Sequence, residues 1–130
     1  MSVQLLLDTH AFLWWLDGDP ALSEAARTAI ADEDSAVFVS AVSAWEITTK
    51  YRLGKLPRAR AVAADVVGCL RSQEFLELAI TVRHSEKAGA LPGPHRDPFD
   101  RMLIAQAMIE DLVLVSNEAV FASYAVRCLW

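Results

Sequence analysis

Residues 3–16 read VQLLLDTHAFLWWL, and their pattern is the strongest indication of the fold. Residues 3–7 form a run that is apolar apart from Gln4, which is typical of a strand buried on both faces of a parallel sheet. Asp8 ends that run, and the following segment THAFLWWL has apolar residues at helical spacing. The sequence therefore predicts a strand, an acidic residue at its carboxyl end and a helix directly after it.

The rest of the chain continues this alternation of strand and helix. Apolar runs predict further strands at 36–40 (AVFVS), within 75–80 (FLELAI) and at 112–115 (LVLV), with a last apolar piece at 125–130. Helices are expected after Ser23, from Ser43, over about 58–71, over 81–91, from the pair Asp97 and Pro98, and briefly through Phe121 and Tyr124. Strands separated by helices imply an α/β fold with a mainly parallel central sheet and helices on its faces.

The composition fits one well-packed domain over residues 1–130. The chain has 54% hydrophobic and 22% charged residues, and its length suits a single core. We find no signal peptide, and no apolar run approaches the roughly 20 residues of a membrane span. The two cysteines, Cys69 and Cys128, have no metal-type spacing. We therefore expect a cytoplasmic protein whose thiols are reduced and buried.

Four acids fall where the carboxyl ends of the strands are expected. Asp8 and Glu118 come just past two predicted strands, and Glu46 and Asp100 lie in the first turns of helices that should begin on the same side. Loops and helix starts converge at this edge of a parallel sheet. Gathered carboxylates repel one another unless cations or protons offset their charge. Mg²⁺ and Mn²⁺ suit all-oxygen ligands, so the pattern predicts metal-dependent hydrolysis of a phosphodiester.

Each acid also has a purely structural explanation. Asp8 can be the N-cap of the first helix. Ser43-Ala-Trp-Glu46 matches the capping box S-x-x-E, which would make Glu46 structural. The other acids have comparable roles, namely an N-cap before Pro98 for Asp97, a weaker capping box for Asp100 and a helix start for Glu118. These roles explain the acids one at a time, but not their common place at one edge.

The net charge of −5 is unusual for a protein that binds nucleic acid. If four carboxylates belong to a metal site, the rest of the chain carries only −1, and bound cations reverse the field at the site. Local basic groups can then hold a phosphate backbone. The candidates are Arg58, Arg60, Arg96 and Arg101.

Four stretches, in order along the chain, carry a resemblance to a known family. They are LLLDTHAFLWWL at 5–16, SAVSAWEITTKYRLGKL at 40–56, HRDPFDRMLIAQA at 95–107 and LVSNEAVFASY at 114–124. Together they closely resemble the PIN-domain family, in particular VapC-like toxins of bacterial toxin–antitoxin pairs. The resemblance implies a Rossmann-like three-layer α/β/α sandwich and Mg²⁺- or Mn²⁺-dependent endoribonuclease activity on RNA. It also implies a partner antitoxin that blocks the site, and a homodimer or a toxin–antitoxin hetero-oligomer.

Carried over by position, the resemblance assigns the acids. Asp8, Glu46 and Asp100 match the first three family acids and are implied to be catalytic metal ligands. Glu118 stands where the family usually has the Asp of a Ser/Thr-x-Asp motif, so its catalytic and metal-binding role rests on a longer side chain. Asp97 is either an additional ligand or only the N-cap of its helix.

Further residues are expected to support this site. Thr9 and Ser116 can hydrogen-bond the carboxylates, and Arg101 can contact phosphate or neutralise neighbouring acids. The histidines form no metal spacing, and His95 is expected to be solvated at the surface. The tryptophans are expected to pack in the core or at a dimer or antitoxin interface, and those concerned are Trp14, Trp15 and Trp45.

Two other functions compete with a ribonuclease. A PIN-like module that binds RNA or protein without cleaving is suggested by Glu118, which departs from the family pattern. A Mg²⁺-dependent phosphatase would also use an Asp at a strand end. That chemistry usually requires a second acid two residues later, where this chain has His10, so the phosphatase is disfavoured.

Overall fold

The computed structural model describes residues 3–130. Its strands are β1 (Gln4–Leu7), β2 (Ala36–Ser40), β3 (Leu76–Leu78), β4 (Val113–Val115) and β5 (Cys128–Leu129). They form a sheet in the order β3-β2-β1-β4-β5, and each neighbouring pair is parallel. The strand predicted from residues 3–16 is therefore the centre of the sheet, and the prediction of a parallel sheet is confirmed.

Helices connect the strands, as parallel pairing requires. In the described part of the chain they are α1 (Thr9–Asp17), α2 (Glu24–Ala31), α3 (Ala41–Arg52), α4 (Arg60–Ala64), α5 (Val66–Ser72), α6 (Val82–Ala90) and α7 (Pro98–Glu110). Short 3₁₀ turns lie at Pro57–Ala59 and Ala119–Ser123.

The helices cover both faces of the sheet, since successive residues of β1 enter two different cores. Leu5 and Leu7 pack in one core with Phe12 of α1. Leu6 packs in the other with Leu103 of α7. All five side chains are almost completely shielded from solvent. The three-layer α/β/α sandwich expected from the sequence is confirmed.

Side-chain caps mark the starts of several helices. Asp8 follows β1 directly and caps α1, while Asp97 caps α7 and is followed by Pro98 at its first position. Ser23 caps α2 as predicted. Because α1 and α3 begin where β1 and β2 end, their first turns lie at the carboxyl edge of the sheet.

One predicted helix start is wrong. α3 begins at Ala41 with Ser40 as its N-cap, and the Ser40 hydroxyl accepts the N–H of Val42 at 3.0 Å. Ser43, the expected cap, is fully buried inside the helix. The capping box between Ser43 and Glu46 is therefore absent, and Glu46 lies in the second turn of α3.

Three further sequence expectations need correction. The helix expected over 58–71 is interrupted at Asp65, whose carboxylate accepts the N–H of Gly68 at 2.9 Å and starts α5. The short last helix is a 3₁₀ turn. Cys128 is exposed and Cys69 is half-buried, so the prediction of two buried thiols is wrong.

The described residues also bear on membrane insertion. None of the helices within residues 3–130 combines the length and the apolar character needed to cross a bilayer.

Candidate functional site

A cleft of about 140 Å³ lies at the carboxyl edge of the sheet and contains all five acids singled out from the sequence. Its walls come from four separate parts of the chain, because α1, α3, α7 and the turn after β4 all begin or pass there. The residues that line it are Asp8, Thr9, His10, Glu46, Lys50, Asp97, Asp100 and Glu118.

Asp8 is both a helix cap and a wall of this cleft. Its Oδ1 accepts the N–H of Ala11 at 2.7 Å, and only 5% of the residue is exposed. Burial raises the pKa of Asp8 to about 6, although hydrogen bonds from the Ser116 hydroxyl and the Ala11 N–H and the charge of His10 lower it in part. The negative charge of Glu118 raises it further. The capping role predicted for Asp8 is confirmed, and it leaves the carboxylate facing the other acids.

Glu46 is held from two sides. Thr9 Oγ1 donates to Glu46 Oε1 at 2.5 Å and also lies 3.0 Å from Ser43 Oγ. On the other side, Lys50 Nζ donates to Glu46 Oε2 at 2.5 Å. Glu46 is 4% exposed, so both oxygens of a buried carboxylate are engaged by this chain's own side chains.

Asp97 and Asp100 lie at the start of α7. Asp97 Oδ1 accepts the N–H groups of Phe99 and Asp100, which confirms the predicted N-cap. Asp100 Oδ2 lies 2.9 Å from His95 Nε2. Burial raises the pKa of Asp100, the hydrogen bond to His95 lowers it, and the charges of Asp97, Glu118 and Glu46 raise it. The expectation that His95 is solvated is wrong, since its ring is mostly covered and bonded to Asp100.

Glu118 lies on the open side of the cleft. Its backbone N–H donates to the hydroxyl of buried Ser116 at 3.0 Å, which fixes the turn after β4. Glu118 precedes the 3₁₀ turn at Ala119–Ser123, but its side chain makes no capping bond there. A helix-starting role therefore does not account for this carboxylate.

Arg101, for which a phosphate contact was predicted, is bound by carbonyl groups of this chain. Its guanidinium donates to the carbonyls of Ala88 and His95 at 2.9 Å each and to that of Leu91 at 2.5 Å. Arg101 does not line the acidic cleft. It ties the end of α6 and the following loop to α7, and in this way it positions His95. The other arginines proposed for a phosphate backbone, Arg58, Arg60 and Arg96, are exposed.

The remaining histidines and tryptophans are mainly structural. His84 is buried, shares a capping box with Thr81 and lies 2.8 Å from Glu110. Trp14 and Trp15 are half-buried against the first core, as expected. Trp45 is 59% exposed and stacks edge-on against Phe99, 5.0 Å between ring centroids. Trp45 is thus not a core residue of this chain.

Lys50 is the residue of the cleft that sequence reasoning missed. Its spacing of four from Glu46 on one helix was the available signal, because an acid and a lysine at i and i+4 are neighbours on a helix surface. The burial of Glu46 and the partial burial of Lys50 were not visible in the sequence. Burial lowers the pKa of Lys50, but the hydrogen bond and charge of Glu46 and the charges of Asp97 and Asp100 outweigh it, so the pKa is raised.

The chemistry of the cleft fits a hard divalent cation. Five carboxylates meet with Lys50 as the single lysine or arginine among the described lining residues. Within residues 3–130, however, no group of three or more His, Cys, Asp and Glu side chains is already arranged to hold a metal ion. The donor set is suitable for Mg²⁺ or Mn²⁺, and the acids would have to move together to bind it.

A larger surface cavity of about 550 Å³ is a less suitable candidate. It lies between the loop before α7 and the 3₁₀ turn after β4, and its walls contain no carboxylate. The five carboxylates singled out from the sequence line the smaller acidic cleft instead.

A parallel α/β/α sandwich with acids at the carboxyl edge defines a class of proteins that bind ligands beyond the strand ends. The PIN domain family model matches residues 5–127, and the chain belongs to the PIN domain family, whose members are typically nucleases. A search of curated protein sequences gave no significant match.

Solved structures with this fold include toxin–antitoxin proteins. VapBC2 from Rickettsia felis, bound to a DNA fragment from its promoter, has a TM-score of 0.72 at 13% identity and covers 98% of both chains. A toxin–antitoxin complex from Klebsiella pneumoniae has a TM-score of 0.60 at 17% identity and covers 97% of this chain and 96% of its own. VapC20 of Mycobacterium tuberculosis, a sarcin–ricin loop cleaving toxin, has a TM-score of 0.66 at 18% identity, with coverage of 94% and 95%. At these identities the likeness concerns the fold.

Proposed function

We propose that the protein is a Mg²⁺- or Mn²⁺-dependent endoribonuclease. One observation carries this proposal, namely that five carboxylates from separate parts of the chain line one cleft. Burial and mutual repulsion raise the pKa values of Asp8 and Asp100 there. A divalent cation would relieve this repulsion and is the usual cofactor for hydrolysing a phosphodiester among oxygen ligands.

The proposed roles follow the positions of the acids. Asp8 and Asp100 are the main metal ligands, Glu46 is the third catalytic carboxylate, and Glu118 and Asp97 supply further oxygens at the rim. When bound, Mg²⁺ or Mn²⁺ supplies a Lewis acid that activates water and stabilises the leaving oxygen.

The chain's own hydrogen bonds prepare this arrangement. Thr9 fixes the rotamer of Glu46, Ser116 fixes the turn that carries Glu118, and His95 orients Asp100. Side chains restrained in this way lose less entropy when the acids move together around a metal ion and substrate.

RNA cleavage by the purified chain tests this proposal. Total cellular RNA is incubated with the protein and Mg²⁺ or Mn²⁺, with EDTA in a parallel sample, and the new ends are mapped. We expect cleavage at defined positions that EDTA abolishes and that Asp8→Asn largely removes. Asp34→Asn, which changes an exposed carboxylate far from the cleft, is the matched control. Equal cleavage by Asp8→Asn and the parent chain would refute the mechanism.

We further propose that the chain is the toxin of a toxin–antitoxin pair in the cytoplasm. Its structural neighbours include toxin–antitoxin complexes. The acidic cleft suits an arginine of an antitoxin, which would offset the same charge as a metal ion. The pI of about 5.1 suits a basic partner. Co-expression with the product of a short adjacent reading frame should give a complex in which cleavage is suppressed. This complex would be a hetero-oligomer of toxin and antitoxin, with the toxin as a monomer or as a homodimer.

A catalytically weak PIN-like binding module is the second candidate. It is favoured by Glu118 in place of the family's usual Asp and by the partners that already occupy Glu46 and Asp100. Such a module would bind no divalent ion in a manner that depends on both Asp8 and Asp100. Titration of Mn²⁺ into the parent chain and into each Asn variant distinguishes the two functions.

A further inference from the structure

Lys50 places a fixed positive charge inside the acidic cleft. It lies one helical turn after Glu46 on α3, and 29% of its side chain is exposed. Its Nζ donates to Glu46 Oε2 at 2.5 Å and lies 5.8 Å from the centre of the Phe99 ring. Its charge also acts on Asp97 and Asp100 across the cleft. The ammonium group thus lies against Glu46 and an aromatic ring, and it feels the charge of two further acids.

Each carboxylate oxygen of Glu46 in turn has a partner within the chain. Its Oε1 accepts from Thr9 and its Oε2 accepts from Lys50, and its side chain is 6% exposed. A divalent ion that bound Glu46 directly would have to compete with these two donors for the carboxylate oxygens. Breaking the bond to Lys50 would leave a partly buried ammonium group without its closest acceptor, which is unfavourable.

We infer that Lys50 is a positioning residue that holds Glu46 against Thr9 and serves as the resident cation at that corner of the cleft. The divalent ion is then held by Asp8 and Asp100, while Glu46 lies in the site without coordinating the ion. This inference rests on the proposed function and revises the ligand role that family resemblance implies for Glu46.

Replacing Lys50 by a neutral side chain has two opposite consequences. The cleft becomes more negative and Glu46 becomes free to bind, so the affinity for a divalent ion rises. At the same time Glu46 loses the bond that sets its position, so the cleavage rate at saturating metal falls. A residue with a merely structural role would weaken both properties together.

Calorimetric titration of Mn²⁺ into the purified full chain measures the first consequence. Lys50→Met should lower the Kd for Mn²⁺ about tenfold, the size expected when one nearby charge is removed at an effective dielectric between that of the protein surface and water. Lys50→Arg should restore the parent value within about threefold, because it keeps the charge. Lys55→Met is the matched control, since Lys55 is exposed and does not line the cleft, and its Kd should stay at the parent value. An unchanged or weaker Kd for Lys50→Met would overturn the inference.

A charge-balanced double variant separates positioning from metal binding even if Lys50→Met folds poorly. Glu46→Gln/Lys50→Met replaces the ion pair by a neutral pair of similar size. It should keep the parent Kd for Mn²⁺ within about threefold, while cleavage is lost. A Kd more than tenfold weaker would show that Glu46 is a ligand and would overturn the inference.

The same titration shows which proposal has failed. If the parent chain binds no Mn²⁺ in the cleft, the proposed function fails, and this inference fails with it. If the parent binds Mn²⁺ through Asp8 and Asp100 but the Lys50 variants do not differ from it, only the inference fails.

Discussion

Replacing Asp8 by Asn should make the metal-free protein more stable while it removes activity. In the folded chain the pKa of Asp8 is raised from 3.8 to about 6, so the buried carboxyl group holds its proton more tightly than the same group in the unfolded chain. Stability is therefore lost as the pH rises from 3.8 through 6, because the folded state has to ionise a group that it disfavours charged. Above pH 6 the folded state bears the whole free-energy cost of ionising Asp8.

The size of the effect follows from the pKa difference. The folded value lies about two pH units above the unfolded one, and each unit corresponds to about 1.4 kcal/mol, so the penalty at pH 7.5 is about 3 kcal/mol. At pH 4.5 the same relation gives about 1 kcal/mol. An Asn side chain carries no charge and keeps an oxygen that can accept the N–H of Ala11. Asp8→Asn should therefore recover most of the penalty without losing the cap.

Urea unfolding with EDTA at the two pH values measures this gain. Asp8→Asn should unfold with a free energy larger than that of the parent by about 3 kcal/mol at pH 7.5 and about 1 kcal/mol at pH 4.5, and its Tm at pH 7.5 should rise by about 10 °C. Asp34→Asn, at an exposed position, should change stability by less than about 0.5 kcal/mol. If Asp8→Asn is no more stable than the parent at pH 7.5, the buried charge is not strained and the need for a cation is not supported.

Other variants test single contacts. Asp97→Ala should lose about 1 kcal/mol of unfolding free energy because it removes the cap of α7, whereas Asp97→Ser should lose little; equal losses would contradict the capping role. Arg101→Met should lose about 2 kcal/mol because it removes charged hydrogen bonds to carbonyls, and it should not change how RNA binding depends on salt; a shallower salt dependence would indicate a phosphate contact. Phe121→Ala should lose about 3–5 kcal/mol in urea unfolding, since the ring is fully buried, and a loss below about 1 kcal/mol would contradict its tight packing.

The strands and most helix starts were predictable because they depend on neighbouring residues. The apolar run of β1 is buried on both faces and so carries its own signal. Asp8, Ser23 and Asp97 cap helices through hydrogen bonds within three residues, which short sequence patterns describe well. The positions of the acids, after strands and at helix starts, then indicated that they lie at the same edge of the sheet.

The errors arise where a distant contact outweighs a local pattern. Ser43 matches a capping box, but in the structure it is buried inside α3, close to Thr9, which lies 34 residues earlier. His95 lies in a segment rich in Pro and Gly that looks solvated, but Arg101 holds that segment so that the ring meets Asp100. The path of such a segment depends on tertiary packing that composition does not encode.

The acids of the candidate site were predictable from the sequence, but its positively charged residue, Lys50, was not. The carboxylates follow from strand ends and helix starts, which the sequence locates. The position of Lys50 in the cleft depends on how deeply α3 is buried. That depth is set by helices from other parts of the chain. The sequence therefore indicated repulsion among the acids without showing that this chain already offsets part of it.

Crystals of the protein soaked in Mn²⁺, with anomalous diffraction recorded at the manganese edge, would locate the metal ions that the proposed function requires. We expect one or two anomalous peaks in the acidic cleft, in contact with Asp8 and Asp100, and their loss in Asp8→Asn. A cleft without a peak at millimolar Mn²⁺, or a peak that persists unchanged in Asp8→Asn, would contradict the claim that these carboxylates form the metal centre of a ribonuclease.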